Sequence, residues 1–261
     1  MKIKKAILTL NSSQVSLCED TSLLKIDTRA LLITTLLYIV FVLLVPLETP
    51  DKLIWFAVYP IIMAPLYNLN YSNILKKSFY VLPFIVFIGI FNPFYDKREA
   101  FQIGGVIISY GWLTFLSIIL RGLLTTQAIV ILISAGGFIN ICNALVKLRV
   151  PKVFSTQLLL VYRYLGILLE ESFNMHRAVT ARGFGKKSFP LKMWVNIVGS
   201  LLIRTFERSK RIYNAMLARG FNGTIPFGKK WNWTIMDSLF CFIWIIVFFL
   251  LYTFNLSNFI K

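Results

Sequence analysis

Apolar residues gather into long blocks rather than alternating with polar ones. Four blocks fill the first half of the chain, at about 30–47, 53–67, 79–92 and 104–120. Crossing a bilayer as helix takes roughly 20 apolar residues, so the first and fourth fit a span and the second and third are short for one. A continuous block reads as helix, because barrel strands would show a two-residue alternation. A further apolar stretch, Gly122 to Phe138, follows Arg121 and is read either as another crossing or as a segment lying along the membrane after a kink. The last block covers about 235–255. The pattern predicts an all-α membrane protein with about five spans, or six if 122–138 also crosses.

Between about 139 and 223 the period changes to that of amphipathic helices. In "LLIRTFERSKRIYNAMLAR" (201–219), Leu202, Phe206, Tyr213, Met216 and Leu217 share one side, and Arg204, Arg208 and Arg211 the other, with Arg219 continuing the row. In "LGILLEESFNMHRAVTAR" (165–182), Leu165, Leu168, Leu169, Met175 and Val179 share a face opposite Glu170, Asn174, Arg177 and Ala181. Pro151 and Pro190 mark the two starts. Both helices end in the same four residues, Ala181-Arg182-Gly183-Phe184 and Ala218-Arg219-Gly220-Phe221. An arginine in the last turn suits the helix dipole, and glycine directly after it suits a left-handed cap. Capping alone accounts for each ending; the repetition does not follow from capping.

The single domain therefore reads as N-terminal membrane helices (about 30–138), an amphipathic helix region (about 139–223) and a final membrane helix (about 235–255). Composition agrees: 57% of residues are hydrophobic, above the 45–50% or so of soluble domains. The net charge of +17 would suggest nucleic acid in a soluble protein. Here the basic residues lie between spans, which points instead to the positive-inside rule and to acidic partners or anionic lipid. The segment 121–237 holds seventeen basic residues against four acidic ones, placing it in the cytoplasm. The short loops agree, with "ETPD" (48–51) outside, "LKK" (75–77) inside, and Lys2, Lys4, Lys5, Lys25 and Arg29 holding the N-terminus inside. No signal peptide is read at the N-terminus.

Candidate chemistry is sparse. Cys18, Cys142 and Cys241 form no zinc or disulfide pattern, and a lone His176 is no metal cage. Glu170 and Glu171 are adjacent, so their side chains point about 100° apart on a helix and do not converge on one ligand. They are read as ion-pair partners of Arg163 or Arg177, and Glu207 as a further partner of Arg163, whose charge among apolar residues calls for one. Arg121 is read as a membrane-edge residue reaching headgroups. "GFGKKS" (183–188) fails the phosphate-loop pattern, with Thr180 in the first glycine position and Lys187 in that of the hydroxyl residue. No ATP site is expected in this chain.

With the two Ala-Arg-Gly endings placed, the chain resembles the transmembrane (T) component of energy-coupling factor transporters, ABC-type importers of vitamins and of cobalt or nickel ions. The resemblance covers nearly the whole chain. "LLKIDTRALL" (23–32) is similar to the family's Asp-Pro-Arg entry, with Thr28 in place of proline, and "FNPFYD" (91–96) to an Asn-Pro element. "LRVPKVFSTQLLLVYRYLGILLEE" (148–171) resembles the cobalt-type, CbiQ branch, and "ERSKRIYNAMLARGFNG" (207–223) is the most family-like stretch.

The resemblance implies that both amphipathic helices are coupling helices. Ala181, Arg182 and Gly183 would engage one ATPase subunit, and Ala218, Arg219 and Gly220 the other. The apolar faces would cradle a small substrate-binding membrane protein, the S component. It also implies a non-catalytic subunit in a prokaryotic cell membrane, with ATP and magnesium held by the partners and cobalt, or else nickel, as cargo. A T component shared by vitamin-specific S components is one alternative. A permease gripping its own substrate and a lipid-binding scaffold are others.

Overall fold

A computed structural model describes residues 26–47, 49–95, 99–103, 106–182, 190–225 and 233–253. In chain order the elements are α1 (Thr28–Leu44), α2 (Pro50–Phe56), α3 (Val58–Leu66), α4 (Tyr71–Phe79), α5 (Leu82–Gly89), α6 (Asn92–Tyr95), strands β1 (Glu99–Ile103) and β2 (Val106–Ser109), α7 (Tyr110–Gly136), α8 (Phe138–Lys147), α9 (Lys152–Arg182), α10 (Leu191–Ala218) and α11 (Ile235–Thr253). Among the described residues the chain falls into two units, 26–144 with 233–253, and 145–225.

The first unit is the membrane body. The long α7 is its hub and touches each of α1 to α6, while α11 packs against α1 and α2. An aromatic cluster fills the space between α1, α2, α3 and α11. Tyr38 stacks on Tyr59 at 4.4 Å, Trp244 meets Tyr59 edge-on at 4.8 Å, and Phe248 lies 5.5 Å from both tyrosines. Tyr38 stays in this dry setting because its hydroxyl donates to the Phe56 carbonyl (3.0 Å), which removes the cost of burying it.

Three helices are long and apolar enough to cross a membrane: α7, α9 and α11. The pair α4 and α5, bent by 45° at its junction, makes a fourth if taken as one span. The all-α membrane architecture holds, but the blocks are built differently from the expectation. The 53–67 block is divided between two short helices, α2 and α3, which meet at Ala57, and Pro65 sits near the end of the second. The fourth block and the stretch after Arg121 are one helix, α7, which continues through Gly136 to a cap at Gly137. Its start lies at Tyr110 because 106–109 pair antiparallel with 99–103 as a short hairpin, which the apolar run concealed.

Arg121 is engaged by the protein itself, at the end of a neighbouring helix. Its Nη2 donates to the Val45 carbonyl (2.6 Å), and one turn earlier Ser117 Oγ donates to the Leu47 carbonyl (2.6 Å). The reason lies in α1. Its last carbonyls lack helical partners, and Pro46 offers no N–H to continue the ladder. Two side chains of α7 serve that end instead.

Close approach of α5 to α7 depends on Gly122. A Cβ there would lie 2.6 Å from Ile85 Cδ1 and 3.0 and 3.1 Å from its Cγ1 and Cγ2, so no rotation of the side-chain tip relieves it. Gly122→Ala is expected to cost about 1–3 kcal/mol through overpacking. Adding Ile85→Ala should recover part of the loss, as read by thermal unfolding in detergent. Equal melting of Gly122→Ala and wild type would show that this helix pair tolerates separation.

Candidate functional site

The second unit is dominated by α9 and α10, of 31 and 28 residues. Both starts follow the expected prolines, since Pro151 precedes α9 and Pro190 is the N-cap of α10. The helices run antiparallel. Glu171 of α9 accepts from Arg204 Nη1 of α10 (3.0 Å), and His176 stacks on Trp194 with ring centroids 5.6 Å apart. Arg163 and Arg219 line one cleft. As the number on α9 rises from 163 to 176, its neighbour on α10 falls from 219 to 194.

This geometry places the two Arg-Gly endings at opposite ends of the pair. Arg219 lies level with Arg163, and Arg182 is nineteen residues further along α9. At 1.5 Å per residue the two tips are about 28 Å apart along the axis. Both arginines are exposed, and neither has an ion pair among the described residues. Ala181 and Ala218 occupy the last turns. Gly183 lies outside the described residues.

The second tip ends as its sequence requires. Arg219 is the C-cap of α10 and Gly220 takes φ +81, where a Cβ would be strained. The Gly220 N–H donates to the Leu217 carbonyl (2.9 Å) and the Phe221 N–H to that of Met216 (3.0 Å). This is the Schellman closure, which satisfies two orphan carbonyls and turns the chain away directly after the arginine.

On one side of the pair lies a groove of about 1130 Å³, lined by Leu160, Tyr164, Leu168, Phe206, Tyr213 and Met216 among others. All five residues placed on the apolar side of α10 line it, namely Leu202, Phe206, Tyr213, Met216 and Leu217. Phe206 is 67% exposed and Val161 63%. The α9 face divides along its length, because Leu165 and Leu168 line this groove while Met175 and Val179 line the cleft beside Arg182.

The expected ion pairs are rearranged. Glu171 pairs with Arg204 across the helices, and Glu207 with Arg211 one turn away (4.0 Å). Neither Arg163 nor Glu170 has a salt bridge among the described residues. Glu170 lies two turns from Arg163 on the same helix, about 10 Å along it, and the antiparallel pairing brings Arg219 beside Arg163 rather than an acid.

One constellation escaped the sequence reading, and it belongs to the membrane body. Asp237, 1% exposed, accepts at Oδ1 from the Asp27 N–H (2.8 Å) and at Oδ2 from both the N–H and the hydroxyl of Thr234 (2.8 Å each). The Asp27 carboxylate caps α1 by accepting from the Arg29 N–H (3.1 Å), and it pairs with the Arg29 guanidinium. That guanidinium lies 5.4 Å from the Trp233 ring centroid. The starts of α1 and α11 are thereby stapled across 210 positions. A signal was present, because Thr234-Ile-Met-Asp237 has the form of a capping box.

The first unit is thus an apolar helical membrane body, and the second a long antiparallel helix pair with exposed arginines at its ends. The comparisons with known proteins supply the family. The chain belongs to the cobalt transport protein family CbiQ, whose model matches residues 19–227. It is 29% identical over 216 residues to an uncharacterized protein of Methanocaldococcus jannaschii, covering 78% of this chain and 73% of that one. It is also 29% identical over 163 residues to the energy-coupling factor transporter transmembrane protein EcfT of Bacillus subtilis, covering 60% of this chain and 59% of the relative.

Proposed function

We propose that this chain is the coupling subunit of an energy-coupling factor importer, linking ATP hydrolysis by two partner ATPase subunits to uptake through a small substrate-binding membrane protein. The observation that carries this reading is the placement of Arg182 and Arg219 at opposite ends of one antiparallel helix pair. Two exposed guanidinium groups about 28 Å apart suit a motor made of two halves. A guanidinium offers a planar fork to a carboxylate, so each contact has a defined direction. Because each arginine ends a long helix, movement of the motor becomes movement of the pair.

The exposed apolar groove between α9 and α10 receives the substrate-binding protein, and no reaction is assigned to this chain's own residues. ATP and magnesium belong to the ATPase partners. Cobalt is the preferred cargo, on the strength of the family, and nickel the next. By the distribution of basic residues the N-terminus and the helix pair face the cytoplasm, and α9, although long and apolar enough to cross, is assigned to that side rather than to a span.

Co-purification tests the reading. The tagged chain, expressed with its cognate ATPase and substrate-binding subunits, is expected to recover both and to support ATP-dependent cobalt accumulation. Cobalt uptake by the chain alone in vesicles would replace this reading with a permease. Binding only to anionic lipid, without any ATPase, would replace it with a scaffold.

A further inference from the structure

The two arginine tips do not stand in equivalent surroundings. Arg182 lines a cleft of about 650 Å³ together with Glu171, Asn174, Asn196, Ser200 and Arg204. In that cleft Glu171 already neutralises Arg204, which leaves one uncompensated guanidinium. Arg219 lines a cleft of about 590 Å³ together with Arg163, Tyr164, Asn222 and Thr224. No acidic residue lines that cleft among the described residues, so it holds two uncompensated guanidinium groups. The Thr224 hydroxyl donates to Asn222 Oδ1 (2.9 Å), and the Asn222 N–H₂ group adds two further donors to the cleft.

Both guanidinium groups are exposed, so water screens their repulsion, and an anion entering the cleft meets two fork-shaped donors at once. Among the described residues no acid of this unit answers them: Glu170 lies about two turns from Arg163 and Glu207 pairs with Arg211. Gly220, which turns the chain away from the end of α10, also lines this cleft. A partner can therefore reach it at the same place where it meets Arg219.

We propose that Arg163 and Arg219 form a two-guanidinium clamp that seats paired carboxylates of one ATPase subunit, while Arg182 meets the other subunit with a single guanidinium. The proposal rests on the coupling reading above and adds to it a positioning residue, Arg163, and an unequal pair of sockets.

The test uses the full chain in lipid nanodiscs and the ATPase pair recovered with the wild-type protein. Binding is measured at low and high salt. Arg163→Gln is expected to weaken binding by about tenfold or more, the scale of a lost charge-assisted contact, and to flatten its salt dependence. Arg163→Lys keeps the charge but loses the fork, so its binding should fall several-fold with the salt dependence retained. Lys192→Gln, exposed on the same helix pair, should change neither.

Wild-type binding and salt dependence in Arg163→Gln overturn the clamp. If that variant fails to fold, Arg163→Lys decides alone: several-fold weaker binding supports the clamp and wild-type binding overturns it. Loss of binding to phosphatidylglycerol vesicles with unchanged ATPase binding also overturns it, in favour of a lipid headgroup. The coupling reading is judged separately. It fails if Arg182→Glu and Arg219→Glu both bind the ATPase pair normally, whereas loss in Arg219→Glu with Arg163→Gln unaffected removes only the clamp.

Discussion

Arg182→Glu and Arg219→Glu, each made alone, are expected to reduce ATP-dependent cobalt uptake to background in cells while the protein still reaches the membrane at normal levels. Neither side chain has an ion pair within the chain among the described residues, so reversing its charge breaks no pair in the fold and loses only the helix-dipole contribution, about 0.3–1 kcal/mol. The cap of α10 is made by backbone groups of Gly220 and Phe221, which a glutamate at 219 leaves in place. The loss falls on the partner contact. A charge-assisted arginine contact is worth about 1.5–3 kcal/mol, and a glutamate facing a carboxylate adds repulsion to that loss. One defective tip should suffice, because a lever held at one end transmits no stroke. Normal uptake by either single variant would remove that residue from the coupling machinery.

The second large effect lies in the membrane body. Asp237→Ala is expected to destabilise it by about 3–5 kcal/mol, the scale for removing one partner from a buried charged network. The carboxylate accepts three hydrogen bonds, two from backbone N–H groups, and alanine offers those donors nothing. Asp237→Asn keeps the shape but has a single acceptor oxygen, so a smaller loss of about 1–3 kcal/mol is expected. Thermal unfolding in detergent orders the three proteins. If Asp237→Ala melts with the wild type, the staple between α1 and α11 contributes nothing measurable.

The sequence carried the class of the fold and the existence of both long helices, because apolar blocks and a 3.6-residue stripe are local signals. The starts after Pro151 and Pro190 and the left-handed Gly220 were legible for the same reason: proline and glycine restrict the backbone wherever they stand. What was not legible depends on which elements meet. The Val45 carbonyl becomes visible as a partner of Arg121 only when α1 is seen to end beside it. Glu171 has several arginines within reach in sequence, and only the antiparallel pairing selects Arg204. The start of the 104–120 block was misplaced because β-branched and aromatic residues serve strands and membrane helices equally well: residues 106–109 pair with 99–103, and the long apolar helix begins only at Tyr110. Asp237 was absorbed into an apolar run, although Thr234 three positions earlier marked it as part of a helix start.

The antiparallel course of α9 and α10 makes the pair a calliper whose opening is counted in residues. Each residue inserted between Arg163 and Arg182 would lengthen one jaw by about 1.5 Å and swing its tip by about 100°. One added residue would aim Arg182 sideways, while three or four would restore the heading roughly but set the jaws about 5 Å too wide. A helix of this kind tolerates exchange of its residues far better than a change in their number, and relatives that drive motors of the same width should keep this count.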